Sequence, residues 1–143
     1  MSETATLRVT NPAADQAHPG QLISVMLVED HPTVRDVLRE ILEPEDDLQV
    51  VGEASDGESA IRMVRDAQAD VVLLDLNLPR LSGVCVVREL LKVQPGLKVL
   101  VLTGYGEEGR QPAMTAGAAG YLSKLNDMAA LPSAIRQAVG AHA

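Results

Sequence analysis

The chain has no tryptophan and no phenylalanine, and two tyrosines are its only large aromatic side chains. A core without large rings has to be filled by Val, Leu and Ala carried on regular elements, which suits layers of helix against sheet. The single cysteine, Cys85, has no partner for an internal disulfide, so a reducing, cytoplasmic setting is expected. No apolar run approaches the length of a membrane span, and the N-terminus lacks the basic-then-apolar pattern of a secretion signal. Basic charge is also scarce: 12 Lys and Arg stand against 20 Asp and Glu, a formal net charge of −8. This domain is not expected to grip nucleic acid through its own surface. DNA binding through a separate domain stays open, and some of the carboxylates are candidates for a cation site.

What the sequence does have is one domain's worth of alternating strand and helix signals in 143 residues. Residues 1–21 mix Ser, Thr, Asn, Pro, Ala and Gly without a period and read as a mobile tail, with Thr6–Thr10 at most a short extended piece. Residues 22–140 form the folded unit and 141–143 a short end. Five apolar runs read as strands: 22–28, 48–54, 70–74, 97–102 and 118–122. Between and after them lie helical patterns. The first carries Val34, Val37, Leu38, Ile41 and Leu42 on one face, the second Ala60, Ile61, Val64 and Ala67, and the third Val84, Val87, Leu90 and Leu91. The last runs from about Met128 to Val139, with Pro132 in its first turn. Five strands alternating with five helical segments predict an α/β fold, a doubly wound five-stranded parallel sheet.

The third strand decides where to look. Val71–Val72–Leu73–Leu74 does not alternate, so it is covered on both faces, and it runs straight into Asp75 before Pro79 stops further pairing. Ligands of open α/β sheets collect outside the carboxyl ends of the strands. The other strands end in polar groups too: Glu29 and Asp30 after the first, Thr103 after the fourth, Lys124 after the fifth. With the first, third and fourth strands side by side, these groups converge. Three carboxylates crowded together repel unless a cation joins them, and oxygen ligands with little enclosure favour Mg²⁺. Lys124 adds positive charge, Thr103 a hydroxyl, and Asp75 is the candidate nucleophile toward a phosphoryl group. Taken singly, each residue has a plainer reading: a solvated strand end for the acids, a cap for Thr103, a surface lysine for Lys124, a packed ring for Tyr121 and a core thiol for Cys85. His31 lies beside two acids, but Pro32 and the lack of a second nearby His argue that it only edges the site.

In Val28–Glu29–Asp30–His31–Pro32, Leu74–Asp75–Leu76–Asn77–Leu78–Pro79, Leu102–Thr103–Gly104 and Gly120–Tyr121–Leu122–Ser123–Lys124 the chain resembles the response-regulator receiver domains of two-component signalling. Their fold is the flavodoxin/CheY-like (βα)5 sheet, and the local wording is most similar to receivers of NarL/LuxR-type regulators. The resemblance implies a phosphorylation-controlled switch rather than an enzyme, its only chemistry being self-phosphorylation from a phosphodonor and autodephosphorylation. It implies that Asp75 accepts a phosphoryl group from a sensor histidine kinase. Asp30 would ligate Mg²⁺, Glu29 would hold it through water, and the Asn77 carbonyl would be a further ligand beside Asp75. Thr103 and Lys124 would hold phosphoryl oxygens, and Tyr121 would be the ring that turns inward as Thr103 moves. A C-terminal DNA-binding output domain, a downstream protein or a second copy of the chain are the further partners implied, the last through the first and last helices or the fourth-helix face. Whether the chain is a piece of a longer regulator or a stand-alone receiver stays open.

Two departures from that family stand out. The stretch Gly104–Thr115 is about one residue short for a full fourth helix and holds Gly106, Gly109 and Pro112, which weaken a helix interior. A shortened or poorly ordered fourth helix beginning near Gln111 or Pro112 is expected, with a loose loop ahead of it that gains order on phosphorylation or partner binding. Leu125 replaces the proline that often follows the lysine, so no proline-limited folding step is expected there. Tyr105 is a candidate to lean over the site and slow water attack. A haloacid-dehalogenase-type phosphatase is disfavoured because Asn77 stands where a second Asp would act as general acid. A nicotinamide enzyme is disfavoured because no Gly-x-Gly-x-x-Gly follows the first strand. The alternative left standing is a receiver-like interaction module that works independently of phosphorylation.

Overall fold

Mostly apolar runs become the five strands: β1 (Ile23–Val28), β2 (Leu48–Ala54), β3 (Val71–Asp75), β4 (Lys98–Thr103) and β5 (Gly120–Ser123). The computed structural model describes residues 22–104 and 106–140; the tail 1–21 with Thr6–Thr10, Tyr105 and the end 141–143 lie outside the described residues. The strands pair in the order β2-β1-β3-β4-β5, all parallel, which puts β3 in the centre as its unbroken hydrophobicity requires. Successive residues of each strand point to opposite faces. Met26, Val28, Val72, Leu74, Val99 and Val101 therefore pack into one cluster, and Val25, Leu27, Val71, Leu73, Leu100 and Leu102 into another.

Five helices cover the two faces: α1 (Pro32–Leu42), α2 (Gly57–Ala67), α3 (Gly83–Val93), α4 (Arg110–Ala116) and α5 (Leu131–Gly140). Through Leu38, Leu42, Leu131 and Ile135, α1 and α5 close one layer. Through Ala60, Val64, Val86, Val87, Leu90 and Ala113, α2, α3 and α4 close the other. Asp56 caps α2 by accepting from the Ser59 N–H at 2.7 Å, and Ser82 caps α3 by accepting from Cys85 at 3.2 Å. At the far end of the sheet from the acids, Arg136 of α5 forks onto Asp47 and Glu45, which tie it to the connection between α1 and β2.

Three expectations change in detail. Val37 is 41% exposed, because a helix packed on one sheet face buries only the Leu38–Leu42 side of its stripe. Cys85 is half-buried, and Val86, not Val84, turns into the core of α3. The fourth helix is short, as expected, but a 3₁₀ turn over Glu107–Gly109 leads into it in place of a loose loop, and α4 starts at Arg110. Arg110 closes that turn by pairing with Glu107.

Two glycines are explained by close approach. A Cβ on Gly83 would sit 2.6 Å from the Leu76 carbonyl oxygen and 2.9 Å from its Cα. A Cβ on Gly109 would sit 2.3 Å from a Leu76 methyl and 3.1 Å from the Tyr121 hydroxyl. Leu76, the residue after Asp75, is therefore held between the first turn of α3 and the entry to α4.

Gly83→Ala should destabilise the chain by roughly 1–3 kcal/mol, since main-chain atoms have to move, whereas Gly104→Ala, with open space around it, should stay within about 0.5 kcal/mol; urea melts measure both. In hydrogen exchange, the amides of α4, whose only buried residue is Ala113, should exchange well ahead of those of β3. Equal protection would refute the idea of a soft fourth helix.

Candidate functional site

β1 and β3 are neighbours, so Glu29 and Asp75 leave the sheet side by side and both are buried, at 1% and 3% exposure. β5 lies beyond β4, and Lys124 follows its last residue. Its Nζ lies 2.8 Å from Glu29 Oε1 and 3.4 Å from Asp75 Oδ1. The Lys124 N–H donates to the Thr103 carbonyl at 2.8 Å, which fixes the start of that reach. Asp75 Oδ1 also accepts from the Asn77 N–H at 3.1 Å. Thr103 ends β4, buried, one strand over from Asp75.

His31 shares in the site more than its sequence position suggests. Its N–H donates to Glu29 Oε2 at 3.2 Å, and its ring Nδ1 lies 2.8 Å from the same oxygen and 3.2 Å from Asp30 Oδ1. Carboxylates only accept, so Nδ1 carries its hydrogen and spends it on Glu29. Asp30 Oδ1 is left buried with no hydrogen-bond donor. Ligand atoms of Glu29, Asp30, His31 and Asp75 all lie within 4.8 Å of one another.

The charges sort these groups. Burial opposes ionisation of Glu29, but hydrogen bonds from Lys124 and His31 outweigh it and hold the carboxyl below the usual range. Burial pushes Asp75 up instead, the Glu29 charge adds to this, and the Asn77 N–H and Lys124 offset only part. Burial works against the Lys124 charge, yet Glu29 and Asp75 hold its ammonium above the ordinary lysine value. The hydrogen bond to Glu29 and the Asp30 charge raise His31.

Tyr121 lies inward at 6% exposure; its hydroxyl donates to the Gly106 carbonyl at 2.9 Å and the Arg110 guanidinium stacks 4.9 Å above its ring. Of the residues singled out from the sequence, Glu29, Asp30, Asp75 and Lys124 share one cluster, with the Asn77 N–H on Asp75, while Tyr121 of β5 stands apart, its ring reaching the 3₁₀ turn ahead of α4. Arg110 gave no signal in the sequence beyond a charge in a glycine-rich stretch. Leu125, beside Lys124, is 82% exposed.

The response regulator receiver domain model matches residues 25–136. The chain belongs to the response regulator receiver domain family. Curated response regulators similar to it include GacA of Pseudomonas aeruginosa, 41% identical over 118 residues that cover 81% of this chain and 55% of that protein. The response regulator UvrY of Escherichia coli is 43% identical over 117 residues, covering 80% and 53%. The receiver thus spans about half the length of the curated relatives it matches. Among solved structures, a LuxR-family two-component response regulator from an Aurantimonas species superposes with a TM-score of 0.80 at 34% identity, covering 85% of this chain and 87% of that one. The response regulator domain of Thermotoga maritima CheB gives 0.77 at 27% identity, covering 83% and 97%. The (βα)5 fold and the NarL/LuxR-type likeness read from the motifs both hold. Among the described residues no helix is long and apolar enough to cross a membrane.

Because Asp75 is raised in the folded receiver, the native state keeps a proton that the unfolded chain has lost once pH passes its ordinary value of 3.8. Stability therefore falls as pH climbs from there through the folded value, and stays lower above it. Asp75→Asn removes that ionisation. In urea melts without divalent cations its midpoint should exceed the wild type's at pH 7, with the gap closing toward pH 4. An equal or lower midpoint at pH 7 would show that Lys124 fully compensates the buried charge.

Proposed function

We propose that this receiver is a phosphorylation-controlled switch in which Asp75 accepts a phosphoryl group from a sensor histidine kinase. The observation that carries the reading is the pairing of a buried, raised Asp75 carboxylate with Lys124 at 3.4 Å, next to an Asp30 oxygen that lacks a donor. An Asp75 oxygen forms the new O–P bond in line as the donor's N–P bond breaks, and the departing imidazole nitrogen keeps the electron pair. Lys124 answers the charge on the phosphoryl oxygens, and Thr103, at the adjacent strand end, supplies a hydroxyl to them.

Mg²⁺ fits the donor set. Asp30 and Asp75 offer hard oxygen ligands, Asp30 Oδ1 has no competing donor, and Glu29 stands beside them; the Asn77 carbonyl is the further ligand that the family resemblance implies. When bound, the cation would neutralise charge on the transferring group. The product is a mixed anhydride, and the same cationic groups assist its loss to water, which makes the signal self-limiting.

Readout runs through two routes. Thr103 drawn toward the phosphoryl group favours the inward Tyr121 under Arg110. Leu76, next to Asp75, bears directly on Gly109 at the entry to α4. The isolated receiver domain of Salmonella enterica RcsB, 25% identical to this chain with a TM-score of 0.75, is a structure obtained in the presence of phosphomimetic BeF3-; by analogy such a mimic would occupy Asp75 here. A DNA-binding output domain following the receiver, a cytoplasmic setting and assembly through α1 and α5 or the α4 face complete the reading.

Intact mass after incubation with Mg²⁺ and acetyl phosphate should show one added phosphoryl group in the wild type and none in Asp75→Ala, with Lys124→Met gaining at least tenfold more slowly. If neither acetyl phosphate nor a histidine-kinase donor modifies the folded wild type, the phosphate-independent interaction module takes over.

A further inference from the structure

The residue that places the candidate cation site is one the receiver reading does not name. Glu29 and Asp30 share a peptide unit, and a peptide unit is rigid, so fixing one of its atoms directs the Asp30 carboxylate. Asp30 lies past the end of β1, where sheet pairing no longer holds the main chain. The Glu29 N–H still donates to the Ala54 carbonyl of β2 at 3.0 Å. Its carbonyl, the oxygen of the shared peptide unit, accepts instead from Arg35 Nη1 on the first turn of α1, at 2.6 Å.

The other side of that guanidinium is anchored. Arg35 Nε lies 3.4 Å from Glu53 Oε1, and Arg39 Nε is ion-paired with Glu53 Oε2 at 2.9 Å. Glu53 is there because of an irregularity in the sheet. The register between β1 and β2 shifts from Val25 opposite Val50 to Met26 opposite Gly52. The extra residue, Val51, moves Glu53 to a place opposite Leu27, on the face that α1 covers. Without that bulge, Glu53 would turn toward the α2 and α3 layer and Arg35 would lose its counter-charge.

We infer that Arg35 is a positioning residue for the cation site: seated on Glu53, it holds the Glu29–Asp30 peptide plane so that the Asp30 carboxylate faces Asp75. This rests on the Mg²⁺ reading above. Two effects of the guanidinium oppose each other, since its charge repels a cation while its hydrogen bond orders a ligand. The charge is answered by Glu53, so the ordering governs. Groups that orient metal ligands typically contribute ten- to a hundredfold in affinity.

Mg²⁺ titrations followed by amide shifts in NMR separate the possibilities. Arg35→Met should bind Mg²⁺ about tenfold more weakly than the wild type, and Arg35→Lys, which keeps a donor, should recover most of the loss. Arg39→Met loses the same Glu53 anchor but no bond to Glu29, and should bind within about twofold of the wild type, which a general structural effect would not permit. If Arg35→Met fails to give a folded spectrum, Arg35→Gln, too short to span both partners, replaces it. Affinity unchanged or tightened in that variant would overturn the proposal, as would equal weakening in Arg39→Met. A wild type that binds no Mg²⁺ would overturn the cation reading and this inference together; one that binds it, matched by the Arg35 variant, would overturn this inference alone.

Discussion

Glu29 and Asp75 end adjacent parallel strands, and burying two carboxylates that close together is unfavourable unless a positive charge reaches both. Lys124 does so from the far side of β4. That one ammonium links strands that are not neighbours, β5 to β1 and β3, and it sets the division of labour between the acids. Glu29, with the shorter contact and the help of His31, is held ionised. Asp75 receives less and is pushed toward its neutral form. The sheet order serves this arrangement: with β3 between β1 and β4, the ends that carry acid, hydroxyl and lysine open into one crevice.

The sequence made the strands legible because a doubly covered strand needs an unbroken apolar run, which β3 has, and because five mostly apolar runs alternating with helical patterns are hard to arrange in any other way. It made the acid cluster legible for the same reason, since topology alone brings Glu29, Asp30 and Asp75 together. Side-chain reach was not legible. Nothing in the string shows that His31 folds back on Glu29, that Arg110 covers Tyr121, or that Arg35 reaches the Glu29 carbonyl. Each depends on where a long side chain finds its partner in three dimensions, which no period records.

The fourth helix shows how a residue can be noticed for the wrong reason. Gly109 reads from the sequence as a helix weakener, and α4 is indeed short. The structure adds a steric reason: a Cβ there would have to displace the Leu76 methyl and crowd the Tyr121 hydroxyl. The helix gives up length where it must approach the strand end that carries Asp75. The β2 bulge is a similar case, since one extra residue in an edge strand decides which helix Glu53 meets.

The poverty in aromatic residues has a practical consequence. With tryptophan and phenylalanine absent and only two tyrosines in the chain, the near-ultraviolet spectrum belongs to Tyr105 and Tyr121 alone. Its phenol is packed under a guanidinium and bonded to a main-chain carbonyl, surroundings that shift absorbance and impose a dichroic signal. Tyr105→Phe would leave Tyr121 as the one tyrosine, and any movement of its ring could then be followed in real time, with no label, as the strand ends gain or lose charge.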